Sequence, residues 1–158
     1  VYAATKLSAE KIALEVGGTV LRTNFFGPSR VANRQSFSDW LITGFKIKAE
    51  RILFIDVLFN PLSMTTLSNL ILLTVEHYNP GLYNLGSRGG MSKRDFAHAL
   101  AIRFGFSTEG TRDGMVEELD LLAVRPKNMK MDVAAFEKGF SVRLPTLEDE
   151  IENMEIGT

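Results

Sequence analysis

Apolar and polar positions follow two different periods along the chain. From Tyr2 to Val16 the residues are mostly Ala, Leu, Glu and Lys, which predicts a helix that Gly17-Gly18 end. Thr19–Phe26 is β-branched and aromatic and stops at Gly27-Pro28, the pattern of a buried strand and a turn. Ser36-Phe37-Ser38-Asp39 offers a capping arrangement for a helix whose apolar stripe is Phe37, Trp40, Leu41 and Phe45. Ile52–Leu58 is a further strand candidate, broken by Asn60-Pro61. A helix from about Thr65 to Tyr78 sets Leu67, Leu70, Ile71 and Val75 on one face, and Leu82–Gly86 reads as a short strand. Ser92 caps a helix through Phe104, with Phe96, Leu100 and Phe104 four apart. Asp132 caps another to about Lys138, stopped by Gly139, and Pro145-Thr146 open an acidic terminal helix. Residues 107–127 carry only a weak apolar cluster around Leu119–Val124.

Alternating strands and helices predict an α/β fold with a partly parallel sheet. Only two sheet strands are convincing, residues 19–26 and 82–86, and two cannot make a doubly wound sheet. The pattern therefore predicts one flank of such a fold without its centre: a single partial domain over residues 1–158. The opening supports this, because Val1-Tyr2 already lies inside a helical pattern with no capping residue ahead of it. No basic segment followed by an apolar core is present, so a signal peptide is not expected.

Composition narrows the chemistry. The chain has 158 residues, 45% hydrophobic and 23% charged, and a net charge of −1, so no global field points to nucleic acid or an anionic membrane. Zero cysteines exclude a disulfide scaffold, a Cys-ligated zinc site and a thiolate nucleophile. Only two histidines, His77 and His98, are present, and both suit core or surface roles better than a metal site. The apolar runs are far shorter than the roughly 18 residues of a membrane span. A cytoplasmic protein is the expectation.

Two constellations could carry chemistry. Tyr2-x-x-x-Lys6 places a phenol and an ammonium on one helical face, and a cation beside a phenol favours the phenolate that proton exchange with a carbonyl requires. The same spacing also describes an ordinary solvated face. Leu21-Arg22-Thr23-Asn24-Phe25-Phe26-Gly27-Pro28 brings Asn24 and Phe25 to the carboxyl end of a strand, where ligands bind in open α/β sheets. Phe25 and Phe26 also suit plain core. Arg22, Arg30, Arg34 and Arg125 offer cationic potential, either for a phosphate cleft or as scattered surface charge. Gly86-Ser87-Arg88-Gly89-Gly90 is better explained as a turn before the Ser92 cap than as a dinucleotide fingerprint. The acidic run Glu148–Glu155 reads as a solvated helix face.

Taken together, Tyr2-Ala3-Ala4-Thr5-Lys6-Leu7-Ser8-Ala9-Glu10 and Leu21–Pro28 resemble the extended short-chain dehydrogenase/reductase family. Gly81-Leu82-Tyr83-Asn84-Leu85-Gly86-Ser87 and Ser92-Lys93-x-Asp95-Phe96-Ala97 resemble its last sheet strand and following helix. Arg125-Pro126-Lys127-Asn128-Met129-Lys130-Met131-Asp132 and Leu144–Asp149 resemble the C-terminal lobe of dTDP-4-dehydrorhamnose reductase-like sugar-nucleotide reductases. The resemblance spans essentially the whole chain. It implies the C-terminal part of a Rossmann-type fold binding NADP or NAD, with Tyr2 as general acid/base and Lys6 on the nicotinamide ribose. It sets Asn24 and Phe25 beside nicotinamide and sugar, and Arg125 on the nucleotide diphosphate. The implied activity is NAD(P)H-dependent reduction of a keto group on a nucleotide-linked sugar, with the 158 residues alone inactive. A non-catalytic binding or regulatory relative and an NAD-dependent epimerase or dehydratase are the alternatives. The implied partners are a nucleotide-sugar substrate and either a second copy or a missing N-terminal half. Phe25 departs from the tryptophan common in the rhamnose-pathway enzymes. The family's G-x-x-G-x-x-G turn is not in the chain, and the Ser/Thr that assists the tyrosine belongs ahead of Val1.

Overall fold

The computed structural model of the chain describes residues 2–31, 33–119 and 126–155. Helix α1 (Tyr2–Glu15) leads into strand β1 (Thr19–Thr23), and Gly17 makes the reversal at φ +77°, a conformation open to glycine at no steric cost. The Arg22 guanidinium on β1 donates to both carboxylate oxygens of Glu10 on α1, at 2.9 and 2.6 Å, and so fixes helix against strand. β1 runs parallel to β6 (Gly81–Leu85), with Thr19 opposite Gly81 and Thr23 opposite Leu85.

The expected strand over residues 19–26 is in fact two. At Asn24 the chain changes partner: the Leu62 N–H donates to the Asn24 carbonyl at 3.1 Å, and β2 (Phe25–Phe26) pairs parallel with β5 (Leu62–Ser63). The candidate over 52–58 also divides, into β3 (Arg51–Phe54) and β4 (Leu58–Phe59). β3 pairs parallel with β8 (Thr111–Gly114), within the stretch that reads as irregular. That strand is Thr-Arg-Asp-Gly and largely exposed, so it has no apolar period to betray it. β4 pairs antiparallel with β7 (Met91–Ser92). The α/β class and parallel pairing are as expected, but the described residues form eight short strands rather than two.

Four helices follow side-chain caps, whereas the helix expected to be capped by Asp132 has Val133 at that position, with no side-chain cap bond. Ser36 and Asp39 form a reciprocal capping box on α2 (Phe37–Lys46), Ser63 caps α3 (Met64–Glu76), Ser92 caps α4 (Lys93–Phe104), and Thr146 with Asp149 boxes α6 (Leu147–Glu152). Helix α5 (Ala134–Phe140) runs through Gly139 and ends at Ser141. A Cβ at Gly139 would lie 3.1 Å from the Tyr83 ring, so this glycine lets α5 approach β6 instead of stopping the helix. On α3 the buried residues are Leu67, Leu70 and Thr74, while Ile71 and Val75 face outward. None of the described helices is long and apolar enough to cross a membrane.

Two apolar cores result. One gathers Phe26, Leu41, Phe45, Phe59, Leu100 and Ile151 around Phe96, whose ring meets Phe26, Phe59 and Phe37 at centroid distances of 5.0, 5.2 and 5.8 Å. The other packs Leu62, Leu67, Leu85, Phe136, Phe140 and Leu144 between α3, α5 and β6. Glu150 corrects the expectation of a solvated acidic face: it is 3% exposed, and its carboxylate accepts the Ser63 N–H at 2.8 Å, at the positive end of α3. Helix α1 contributes no buried residue to either core.

Candidate functional site

Helix α1 holds Tyr2 and Lys6 one turn apart, and the Lys6 ammonium lies 5.7 Å from the Tyr2 ring centroid. Both side chains are exposed, Tyr2 at 77%, so the phenol is open to an incoming ligand. The structure therefore brings this expected pair together. Its orientation is set by the Glu10–Arg22 pair, which holds α1 on β1.

The carboxyl end of β1 supplies the second expected group. Alternation along β2 sends Phe26 into the core, where it is 2% exposed, and leaves Phe25 outside at 58%. One of the two phenylalanines is thus core and the other is available. Beside them the Asn24 side-chain oxygen is buried and has no hydrogen-bond partner among the described residues. A buried acceptor left without a donor costs about 1–3 kcal/mol, which a ligand N–H or O–H could recover.

A cavity of about 460 Å³ has Phe37 in its wall, and the buried Phe96 lies between that ring and Phe26, so neither Asn24 nor Phe25 lines it. Phe37, Trp40, Phe54, Lys93, Pro126 and Met129 are among its lining residues. Phe37 and Trp40 stack at 6.1 Å and 18°. The Arg51 guanidinium lies 3.8 Å from the Trp40 ring centroid, and burial pushes its pKa down. On either side of residues 120–125 the chain reaches Asp56, through the Val116 N–H and the Lys127 side chain. One carboxylate oxygen accepts the Val116 N–H at 3.1 Å, and the other contacts the Lys127 ammonium at 2.9 Å. Burial works against ionisation of Asp56, but Lys127 and the Val116 N–H outweigh it and hold the carboxyl below its usual range.

The remaining expectations divide. Arg125 lies outside the described residues; its neighbour Pro126 lines the cavity. Arg22 is committed to Glu10, while Arg30 and Arg34 are exposed on the loop before α2. The Gly86–Gly90 segment is a turn: the N–H groups of Ser87, Arg88 and Gly90 already donate to Asn60, Pro145 and Arg88 carbonyls at 2.9, 2.8 and 3.1 Å. Those amides cannot also cradle a pyrophosphate. His77 ends α3 on the surface, His98 sits partly buried in α4, and no group of three metal-ligating side chains occurs among the described residues. Sequence reasoning missed the cavity, because Phe37 and Trp40 read as core with Leu41 and Phe45. The available signal was Lys93, a cation at the first position of a helix, where the dipole disfavours it.

No family model matches the chain, and no curated protein matches it. Solved structures do. A dTDP-4-dehydrorhamnose reductase from Bacillus anthracis in complex with NADP superposes with a TM-score of 0.84 at 21% identity, over 97% of this chain and 54% of that one. A dTDP-glucose 4,6-dehydratase from the same organism, in complex with NAD, gives 0.75 at 15% identity, over 97% and 50%. A UDP-N-acetylglucosamine 4-epimerase from Methanobrevibacter ruminantium, in complex with UDP-N-acetylmuramic acid, gives 0.76 at 16% identity, over 97% and 51%. The chain thus has the fold of one part of these enzymes and spans about half their length.

Proposed function

We propose that the chain carries the catalytic helix and substrate lobe of an NAD(P)H-dependent reductase acting on a keto group of a nucleotide-linked sugar. The observation that carries this reading is the Tyr2–Lys6 pair, held by an ion pair beside a strand end. That end offers an exposed ring and an unpartnered amide oxygen. NADPH or NADH, when bound, supplies the hydride that reaches the carbonyl carbon. Tyr2 gives its phenolic proton to the carbonyl oxygen, and Lys6 holds the nicotinamide ribose and steadies the phenolate left behind. Asn24 Oδ1 accepts from the carboxamide, Phe25 covers the nicotinamide and sugar, and Arg125 meets the nucleotide diphosphate. The residues present fit the nicotinamide half of the cofactor. They do not fit its pyrophosphate at the Gly86–Gly90 turn, where the Ser87, Arg88 and Gly90 N–H groups are already used.

The test uses a longer protein in which a Gly-rich dinucleotide-binding half precedes Val1. Tyr2→Phe should cut turnover of a keto-sugar nucleotide by about 100-fold or more, with NADPH affinity little changed. Unchanged turnover would remove Tyr2 from the mechanism. Net consumption of NADPH separates reduction from epimerisation, which returns its cofactor unchanged.

A further inference from the structure

Lys6 has two possible neighbours on α1. Tyr2 lies four residues before it and Glu10 four residues after, so all three share one face of the helix. Glu10 in turn has Lys6, Leu7, Ala13 and Leu14 three and four positions away, and of these Lys6 alone is charged. Lysine and glutamate at this spacing ordinarily pair. Here the Lys6 ammonium turns the other way, 5.7 Å from the Tyr2 ring centroid, and makes no ion pair among the described residues. The cause lies across the gap to β1, where the Arg22 guanidinium donates to both Glu10 oxygens at 2.9 and 2.6 Å. That bidentate pair neutralises the carboxylate and cancels its pull on a second cation. The same hydrogen bonds hold the Glu10 carboxyl below its usual range, so it stays ionised. The Glu10 side chain is only 19% exposed, so without Arg22 it would be a poorly hydrated charge in need of a partner. An ammonium is held more tightly at a carboxylate than near the outer range of an exposed ring.

We propose that Arg22 is a positioning residue of the Tyr2–Lys6 pair: by occupying Glu10 it keeps the Lys6 ammonium off that carboxylate and turned to the phenol. The helix spacing offers Lys6 both neighbours, and the strand decides between them. The proposal rests on the catalytic reading of Tyr2 and Lys6 above and adds a residue that touches neither.

NMR of the 158-residue chain, labelled at Lys and Tyr, tests it. In the unsubstituted chain the Lys6 ε-methylene should show through-space contacts with the Tyr2 ring and a ring-current shift. Arg22→Gln should abolish both signals. Arg22→Gln with Glu10→Gln should restore both, because no carboxylate is left to compete. Backbone contacts between residues three apart over Tyr2–Glu10 show whether α1 is intact in each variant. If Arg22 only fastened α1 to β1, a contact within α1 would survive its removal. Survival of the contact in Arg22→Gln therefore overturns the proposal, and so does failure of the double substitution to restore it. Loss of the backbone contacts in Arg22→Gln, unrepaired in the double variant, overturns it too by assigning Arg22 to holding the helix. In the longer protein with a dinucleotide-binding half, Arg22→Gln should cut turnover of a keto-sugar nucleotide by about tenfold or more, and the double variant should recover the larger part. Side-chain contacts that respond as expected while turnover does not move would sustain the hold of Arg22 over Lys6 and refute the catalytic reading of the pair.

Discussion

Asn60 offers a test of how the cavity wall is held. It is 2% exposed, and its amide nitrogen donates to the Ser87 and Met131 carbonyls at 2.8 and 2.9 Å, while its amide oxygen accepts the Met131 N–H at 2.9 Å. One side chain therefore joins the end of β4, the turn after β6 and the segment that follows Pro126 and Met129. Asn60→Ala strands three backbone groups. At about 1–3 kcal/mol each the ceiling is about 9 kcal/mol, and water entering the vacated space should reduce the loss to about 3–4 kcal/mol. The neighbours cannot close the gap freely: a Cβ at Gly86 would lie 2.5 Å from the Asn60 carbonyl oxygen, so these backbones are already in contact. With an ordinary urea slope of about 2 kcal/mol/M, the midpoint should fall by about 1.5–2 M at unchanged slope. A fall worth less than about 1 kcal/mol would refute the reasoning.

The charged variant sharpens the test. Asn60→Asp keeps the acceptor for the Met131 N–H but points a carboxylate oxygen at two carbonyls. Burial and those dipoles raise its folded-state pKa above the unfolded value of about 3.9. The native state then holds more protons than the unfolded one, so the variant loses stability as pH rises through the folded pKa. Its deficit against the unsubstituted chain should therefore narrow as pH falls through the raised folded pKa toward about 3.9 in urea titrations, whereas the Asn60→Ala deficit stays level.

Two further outcomes are expected. Fluorescence titration of the 158-residue chain with NADPH should show binding no tighter than about millimolar, since the Ser87, Arg88 and Gly90 N–H groups of the glycine-rich turn are already used; micromolar binding by a monomer would show the cofactor site misplaced. Burial works against ionisation of Asp39, but the Ser36 and Ser29 N–H groups and the Ser36 hydroxyl outweigh it and hold the carboxyl below its usual range. Its stabilisation is full above the unfolded pKa of about 3.9 and is lost as pH falls through the lower folded value, so the Asp39→Asn and unsubstituted urea midpoints should converge on acidification; a constant gap refutes this.

What could be read from the sequence follows the range of the interactions involved. Caps were legible because Ser36, Ser92 and Thr146 act within one turn of their own helices. Tyr2 and Lys6 were legible for the same reason, four residues apart on one helix. The partner change at Asn24 was not, because it depends on Leu62, which no local period announces. The same holds for the outer face of α3: the period placed Leu67 and Leu70 correctly, but Thr74 turns inward and Ile71 and Val75 outward. Glu150 looked like solvated charge because its partner is an amide 87 positions away in sequence. The cavity was hidden by the same physics, for its walls come from α2, β3, the start of α4 and the segment after residue 125.

The two halves of the candidate site differ in what supports them. On the cavity side Leu53, Phe37, Trp40 and Met129 belong to or pack on the first core. The Tyr2 side has no such backing: α1 buries nothing, and β1 is paired on one edge only among the described residues. Parallel strands are ordinarily covered on both faces, so this pair and its helix are geometrically ready but not self-supporting. That division assigns the assays. The Asn60 tie can be measured in the chain as it stands, because the packing that fixes it is present. Proton transfer by Tyr2 needs the substrate carbonyl held still against an exposed phenol, and nothing in the described residues confines a ligand there. The distance between Tyr2 and Lys6 is a property of one helix, but the distance between Tyr2 and a reacting carbonyl is a property of whatever covers α1 and the open edge of β1.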